Sequence, residues 1–376
     1  MHTYLLTPLA PLVLRTGKPF GETGGSESFP FPLPSTVAGA MRTTCADQQA
    51  LNFLSDKEQI ITQTCHGALP AQVAANGLIK PLFPRPADAR YVRPENDLIL
   101  QRLSPIEPGA EEGSDLPDGL WPVFLETADK SKPSPGPIWW AEQAIQKWLQ
   151  GDVPEPGSLG PEPPPIDMRT HVALDPATLA ADTGRLFQSA GPDFEALRKK
   201  PGDQINENGW HPERSALMAR FSQPLVPTLL RLGGEVRMSA VAPCDSWPRL
   251  PETLRACLEE SRSIRLILAT SALFSNGWKP GWLDRNLTGS PPGIPGLVLR
   301  LKAAAVERWQ AISGWDMAAK KPKAVRRLTP AGTVYWFEVL NAPKDWAEQL
   351  WLTPISDNEQ DRCDGFGLTV PGIWKR

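Results

Sequence analysis

The sequence predicts an α+β protein made of two ferredoxin-like domains, each a βαββαβ unit with proline- and glycine-rich loop insertions. Three observations lead to this prediction. The chain has 376 residues, more than one small hydrophobic core usually needs. Its apolar segments are short, and 42 prolines and 30 glycines separate them, as expected for braced loops on a scaffold. The turn-rich stretch APCDSWPRLP then divides the chain into predicted domains 1–245 and 246–376.

The first domain is predicted to begin with a strand, a glycine-rich loop and a helix. Residues 3–14 are rich in strand formers but contain two prolines, which suits an edge strand with a bend. Four glycines and then three closely spaced prolines follow. Ser35 or Thr36 is predicted to cap the helix that comes next. Helical spacing predicts a buried face, which consists of Val37, Ala40, Met41, Thr44 and Cys45.

The rest of the first domain is predicted from shorter patterns. The predicted elements are strands within 78–106, a helix at 138–149, two strands around a turn at 169–190, and a strand at 232–243. Two stretches, 107–137 and 150–165, are predicted to be loop insertions. The first is acidic and the second is a proline tract.

The second domain is predicted from its own run of elements. Strands are expected at 263–274, 296–307 and 332–340, followed by a short helix within 343–355. A glycine loop, DGFG, then enters a last strand. The segment VYWFEV is apolar on both alternating faces, which is typical of a central strand covered on both sides. One more helix after the first of these strands would complete a βαββαβ unit.

Composition excludes several classes of protein. No apolar run approaches the roughly 18 residues that a membrane-spanning helix needs, and the start of the sequence lacks the features of a signal peptide. The five cysteines are scattered and form no CxxC pair, which favours reduced thiols in a cytoplasm. The same spacing argues against a structural zinc site, and we expect no metal and no cofactor.

Positive charge is concentrated in one segment of a chain whose formal net charge is −3. Residues 300–327 contain eight lysines and arginines and two acidic residues. The densest part consists of Lys320, Lys321, Lys323, Arg326 and Arg327, close to the aromatic residues Trp309 and Trp315. Cations that neutralise phosphates beside rings that stack on bases would suit RNA. A solvated basic hairpin is the alternative.

The glycine loops indicate anion binding. The first loop precedes a helix N-terminus, where exposed N–H groups and the helix dipole attract phosphate. Its sequence matches neither the Walker A motif nor the GxGxxG dinucleotide fingerprint. Gly365 and Gly367 in the second loop would allow a close backbone approach.

Catalysis has little support in the sequence. None of the four histidines lies in a recognised motif. His171 is the best candidate for the general base of a ribonuclease, with His66 as a second, but a histidine within a strand-rich stretch is more often structural. No catalytic residue is therefore predicted.

Several blocks, in order, resemble the Cmr3-type subunits of the RAMP superfamily, which belong to type III-B CRISPR effector complexes. The strongest in combination are PSTVAGAMR, ISGWD and PAGTVYWFE. The others are LVLRTGKPFG, THVALDPATLAADTGRLF, LGGEVRMS, KPKAVRR and DGFGLTVPGIW. Together they extend from residue 12 to residue 374. The two insertions are the least family-like parts.

The resemblance implies two RAMP domains and a non-catalytic role in antiviral defence. Such a subunit holds the 5′ tag of the guide RNA (crRNA) and bridges the large polymerase-like Cmr subunit to a backbone RAMP subunit. No membrane and no small-molecule substrate is implied. The related processing endoribonuclease carries a histidine in its first domain. The first helix here has none, which favours binding over cleavage.

The residues expected to contact RNA lie in three segments. The first loop and helix contribute Arg15, Lys18, Gly24, Gly25, Ser35, Thr36 and Arg42. The basic segment contributes Lys320, Lys321, Lys323, Arg326 and Arg327, and the DGFG loop contributes Gly365 and Gly367. Docking of a partner subunit is an open alternative for the first loop, with Phe20, Phe29 and Phe31 as anchors. Trp315 is a further residue expected to dock a partner. Two alternatives to the whole interpretation also stay open: a metal-independent processing endoribonuclease, and a scaffold that only docks proteins.

Overall fold

A computed structural model describes residues 1–14, 29–74, 76–109, 111–127, 131–195, 213–316 and 321–375. The chain folds into two compact units, each made of three segments. The first contains Met1–Ile79, Pro164–Asp245 and Ala311–Arg326, and the second contains Lys80–Pro163, Ser246–Gln310 and Arg327–Arg376. The two contiguous domains expected from the sequence, 1–245 and 246–376, therefore differ from the compact units. The chain does change unit at residue 245, but it also changes at 79, 163, 310 and 326.

Short strands dominate the secondary structure. The α-helices are α1 (Pro34–Gln48), α2 (Lys57–Ile61), α3 (Glu142–Leu149), α4 (Glu252–Glu260), α5 (Trp346–Leu350) and α6 (Glu359–Cys363). The strands are β1 (His2–Pro8), β2 (Cys65–Val73), β3 (Ile79–Pro84), β4 (Ala89–Val92), β5 (Ile99–Pro105), β6 (Val123–Leu125), β7 (Trp139–Ala141), β8 (Ile166–Leu174), β9 (Ala181–Pro192), β10 (Arg214–Phe221), β11 (Thr228–Arg231), β12 (Met238–Pro243), β13 (Ser263–Leu268), β14 (Thr288–Gly289), β15 (Val298–Ala305), β16 (Gln310–Ile312), β17 (Trp315–Asp316), β18 (Lys321–Pro322), β19 (Arg326–Leu328), β20 (Val334–Asn341) and β21 (Thr369–Ile373).

The first unit is organised around an antiparallel sheet with the strand order β11-β12-β1-β10-β2. Helix α1 connects β1 to β2 through α2 and packs against β2. Leu6 and Leu217 face each other in register and are fully buried. The connection from β10 to β12 contains strand β11 and no helix. The unit is therefore α+β, with one long helix over a sheet.

The second unit has an antiparallel sheet with the order β14-β15-β20-β13-β21. Strand β20 is central, and Val334, Tyr335, Trp336 and Phe337 are almost completely buried, which confirms the predicted central strand. Helices α5 and α6 connect β20 to β21. The helix expected after β13 is absent, and residues 269–297 form turns, isolated bridges and the short strand β14 instead. Prolines and glycines recur through that segment and interrupt any helical pattern.

Helix α1 confirms the predicted buried face, but its start differs from the prediction. Val37, Met41 and Cys45 are fully buried. The N-cap residue is Leu33, in an extended conformation, and Pro34 occupies the first turn. Proline suits this position because its fixed φ is helical and its missing N–H would have no partner there. Ser35 and Thr36 consequently lie inside the first turn rather than at the cap.

Both predicted insertions contribute to the second unit. Strand β6 from the first insertion pairs with β5. Leu159 from the second is fully buried, and its carbonyl accepts a hydrogen bond from the N–H of Ala141. Strand β7 occupies residues that were predicted as helix, so α3 begins only at Glu142.

A buried ion pair lies in the core of the second unit. Arg265 Nη1 donates to Asp88 Oδ2 at 2.7 Å, and Trp148 Nε1 donates to Asp88 Oδ1 at 2.9 Å. The guanidinium of Arg102 covers the Trp148 ring at 4.0 Å from its centroid. Burial raises the pKa of the Asp88 carboxyl, and the charge of Arg265 opposes that shift. Loss of either charge would leave the other buried without compensation.

Candidate nucleic-acid interface

A cleft of about 1180 Å³ in the first unit brings together three separate parts of the sequence. One wall is helix α1, including Ser35, Thr36 and Gly39. A second is the strand and turn at 228–238, and a third is the loop around Ser313 and Lys323. Leu14 and Phe29, the described residues on either side of segment 15–28, also line the cleft.

The helical wall presents small and polar groups. Its first turn has no acidic side chain and no side-chain cap, so the positive end of the helix dipole is not offset there. The N–H groups of Thr36 and Val37 both donate to the Leu33 carbonyl. Gly39 is exposed, and a Cβ at this position would meet nothing within 4 Å. The absence of a side chain at Gly39 keeps this part of the cleft open.

The turn between β11 and β12 is held against the segment that precedes the first loop. Gly233 has φ +82°, and a Cβ there would lie 2.8 Å from the carbonyl oxygen of Val13, so the close approach requires glycine. The N–H of Gly234 donates to that same carbonyl at 2.8 Å. These contacts fix the backbone around Val13, five residues after the end of β1.

The charged groups of the cleft are balanced. Arg231 and Lys323 contribute positive charge, while Asp47 and Glu235 contribute negative charge. The backbone of Lys323 is fixed because its N–H donates to the Gly314 carbonyl at 2.7 Å and its carbonyl accepts from Ser313 Oγ at 2.8 Å. The cleft therefore offers a few defined cations rather than a uniformly basic surface.

The structure brings together Ser35, Thr36 and Lys323 of the predicted RNA-binding residues. Lys321, Arg326 and Arg327 are exposed, as expected for phosphate contacts. Five further residues of the first-loop and basic-segment sets lie outside the described residues: Arg15, Lys18, Gly24, Gly25 and Lys320. Arg231 was missed, because a single exposed arginine in a short strand gives no signal in the sequence.

Arg42 does not suit the predicted contact with RNA. Its side chain is only 8% exposed, and Nε donates to the Gln63 carbonyl at 2.9 Å. This hydrogen bond attaches α1 to the segment before β2. Helical spacing did not include Arg42 in the predicted buried face of α1. Arg42 is buried nevertheless, because the connection to β2 covers that side of the helix.

Gly365 and Gly367 are also placed differently from the prediction. Both are buried, and their backbone groups bond within the second unit. Thr270 Oγ1 donates to the Gly365 carbonyl at 2.8 Å, and the Gly367 N–H donates to the Ser271 carbonyl at 2.8 Å. A Cβ on Gly367 would lie 2.9 Å from Ser356 Oγ. The glycines serve close internal packing, and their predicted contact with RNA stays a prediction.

The residues predicted to dock a partner differ in their environment. Phe29 is 6% exposed, and its N–H donates to the Leu14 carbonyl at 2.9 Å, so it belongs to the interior of the first unit rather than to a docking surface. Phe31 is half-buried. Phe20 and the side chain of Trp315 lie outside the described part of the chain.

The histidines considered for catalysis have structural surroundings. His171 Nε2 is 2.8 Å from Ser189 Oγ, across the pair of strands β8 and β9. Burial, with a contribution from the charge of Arg220, lowers the pKa of His66 to about 4. A neutral imidazole of such low basicity is poorly matched to proton transfer near pH 7. Among the described residues, no group of three or more His, Cys, Asp or Glu could hold a metal ion.

No described helix is long and apolar enough to cross a membrane.

Comparisons with known proteins define the family. A search of curated proteins gave no match. Among solved structures, this chain is similar to a chain in "Cryo-EM structure of the Type III-B Cmr-beta bound to cognate target RNA", with 14% identity, a TM-score of 0.47, and coverage of 89% of this chain and 86% of that chain. It is also similar to a chain in "Crystal structure of Csm3-Csm4 subcomplex in the type III-A CRISPR-Cas interference complex", with 11% identity, a TM-score of 0.35 and coverage of 100% of both chains. Residues 4–374 match the family model described as "CRISPR-associated protein (Cas_Cmr3)". Because this match extends over nearly the whole chain, the protein belongs to the Cas_Cmr3 family of CRISPR-associated proteins.

Proposed function

We propose that the chain is a non-catalytic, guide-RNA-binding subunit of a cytoplasmic type III-B Cmr interference complex. In this proposal it holds the 5′ tag of the guide RNA and bridges the large polymerase-like subunit to a backbone RAMP subunit. The observation that carries the proposal is the family match over residues 4–374. We place the tag in the cleft of the first unit.

The chemistry of the cleft supports this placement. The uncapped start of α1, the hydroxyls of Ser35 and Thr36, and the cations Arg231 and Lys323 are groups that bind phosphate. Phosphate contacts would position the RNA, and unstacked bases would be read by neighbouring surfaces.

The exposed cations of the basic segment extend the proposed interface along the RNA backbone. Lys321, Lys323 and Arg326 belong to the first unit, as the cleft does, and all three are exposed. Each cation that neutralises a phosphate releases a counterion and steepens the salt dependence of binding. Local charge of this kind is compatible with a net charge of −3, because a subunit of an assembly needs only one basic face.

We also propose that each unit is a RAMP domain of the ferredoxin-like type. Each sheet contains four antiparallel strands that lie side by side in the order 4-1-3-2, where the numbers give their order in the sequence. These strands are β12-β1-β10-β2 in the first unit and β21-β13-β20-β15 in the second. A βαββαβ unit has this order. Each unit departs from the pattern by lacking one of the two helices, which β11 and the segment 269–297 replace.

The proposal is tested by nuclease protection of the guide RNA in complexes assembled with and without this chain. The expected result is that the 5′ tag becomes sensitive to ribonuclease when the chain is omitted, while the 3′ part of the guide stays protected. The 3′ part serves as the internal control for assembly. Equal protection of the tag without this chain would mean that neighbouring subunits hold the RNA, and the chain would then be a protein scaffold.

A further inference from the structure

One tryptophan of the second unit stands apart from the others. The side chain of Trp309 is 53% exposed, whereas every other tryptophan whose side chain is described is buried or half-buried. A tryptophan offers about 150–250 Å² of mostly apolar surface, so burial against the fold would be favourable. Its sequence neighbours Arg308 and Gln310 are polar and are also exposed.

An arginine covers part of this exposed ring. The guanidinium carbon of Arg327 lies 5.2 Å from the Trp309 ring centroid, within the range of a cation–π contact. Arg327 is itself exposed, and no ion pair joins it to an acidic side chain among the described residues. The pair therefore combines a flat aromatic surface with a positive charge that the described acidic groups do not neutralise.

Both residues lie next to well-anchored backbone. Leu328 and Thr329 follow Arg327 and are buried, and Thr329 exchanges backbone hydrogen bonds of 2.9 Å with Ala272. Glu307 precedes Trp309 by two residues and forms an ion pair with Arg85. These contacts limit the positions available to the pair, so less conformational freedom is lost when a ligand binds.

We infer that Trp309 and Arg327 form a stacking platform for one unpaired base of single-stranded RNA. Aromatic rings and guanidinium planes are the groups on which splayed RNA bases stack. Tryptophan and arginine also anchor protein interfaces. The surrounding charge favours RNA here, because Arg308 directly precedes Trp309, Arg326 directly precedes Arg327, and both arginines are exposed. This inference rests on the proposed function, since it assigns one base of the guide RNA to this pair.

The test is a binding cycle that combines protein variants with RNAs lacking single bases. The RNA is the guide that co-purifies with the complex assembled on the full chain, resynthesised with one base removed at each position in turn. Trp309→Ala should weaken binding of the intact guide about 5- to 100-fold. Trp309→Phe should retain most of the affinity because it keeps a ring. At one guide position, the RNA that lacks its base should bind the Trp309→Ala complex and the unchanged complex with equal affinity.

Salt dependence separates the two members of the platform. Trp309→Ala should leave the slope of log affinity against log salt unchanged, because it removes no charge. Arg327→Ala should reduce that slope by about one. Thermal unfolding of each variant provides the control for folding, and an exposed pair should leave it unaltered.

Three outcomes would overturn the inference. If the complex binds the guide but no position couples to Trp309, the platform does not exist and the proposed function stands. If Trp309→Ala leaves guide affinity unchanged but prevents assembly with other subunits, the pair is a protein anchor. If no guide co-purifies with the complex, the proposed function and the platform both fail.

Discussion

Gly39 provides a direct test of the cleft, because a side chain can be added there without disturbing the fold. It lies in helix α1, its φ is not positive, and nothing lies within 4 Å of a Cβ at this position. Gly39→Ala should stabilise the first unit by about 1 kcal/mol, since glycine is less favourable than alanine in a helix by that amount. Thermal unfolding should shift upward by roughly 2–4 °C. Guide binding should be unchanged by this variant.

A carboxylate at the same position should oppose phosphate. Two like charges about 4 Å apart repel by about 1 kcal/mol in water and about 4 kcal/mol at an effective dielectric constant of 20. Gly39→Glu should therefore weaken guide binding by about fivefold or more relative to Gly39→Gln, which has the same size without the charge. The difference should shrink at high salt. Gly157→Glu is a matched control, because Gly157 is an exposed glycine of the second unit whose Cβ would also meet nothing within 4 Å.

The assay is fluorescence anisotropy of labelled guide RNA with the assembled complex at two salt concentrations. Equal affinities for Gly39→Ala, Gly39→Gln and Gly39→Glu would refute the reasoning, because no phosphate could then lie near the first turns of α1. A loss of binding in all three variants, the alanine included, would instead show that the cleft accepts no added atom at this position.

Three further predictions concern stability. The pKa of His66 is lowered to about 4 in the folded chain, so as the pH falls His66 is protonated in the unfolded chain before it is protonated in the folded chain. The free energy of unfolding should be constant above about pH 6.5 and should fall by up to about 3 kcal/mol towards pH 4. In His66→Gln, urea unfolding should show no such fall. An equal fall in the variant would mean that another group causes it. Asp88→Asn leaves the charge of Arg265 buried without compensation, so urea unfolding should show a loss of about 3–5 kcal/mol; a loss below about 1 kcal/mol would contradict the buried pair. Gly367→Ala should destabilise the second unit by about 1–2 kcal/mol, since Gly367 has φ +86°. Guide binding should persist below the unfolding temperature. Weaker binding with unchanged thermal unfolding would instead support an RNA contact at the glycine loop.

Local patterns were sufficient for much of the fold. The spacing of Val37, Met41 and Cys45 predicted the buried face of α1, and the apolar run around Trp336 predicted the central strand of the second sheet. Helix α4 was missed because only Leu254 and Leu258 are buried in it, which gives two apolar positions and little periodicity. The prediction of a helix after β13 was wrong. It was taken from the general βαββαβ pattern, which does not indicate which connection lacks its helix in a given protein.

The candidate site was predictable only in part, because it depends on tertiary packing. Ser35 and Lys323 were both selected from local chemistry, but no pattern shows that residues so far apart in the chain line one cleft. The burial of Arg42 has the same origin, since the segment that covers it comes from elsewhere in the chain. The glycines of the DGFG loop were recognised as sites of close approach, and Gly367 does approach Ser356 of the same unit closely.

The placement of the 5′ tag is tested most directly by site-resolved photo-crosslinking. Guide RNA with a photoreactive nucleotide in its tag would be assembled into the complex, irradiated, and mapped to residues by mass spectrometry, with a label near the 3′ end as the control. The expected result is crosslinking of the tag label to the cleft, at Ser35, Thr36, Arg231 or Lys323, and no crosslink from the 3′ label to this chain. Crosslinks from the tag only to other subunits would contradict the central claim and favour a protein-docking scaffold.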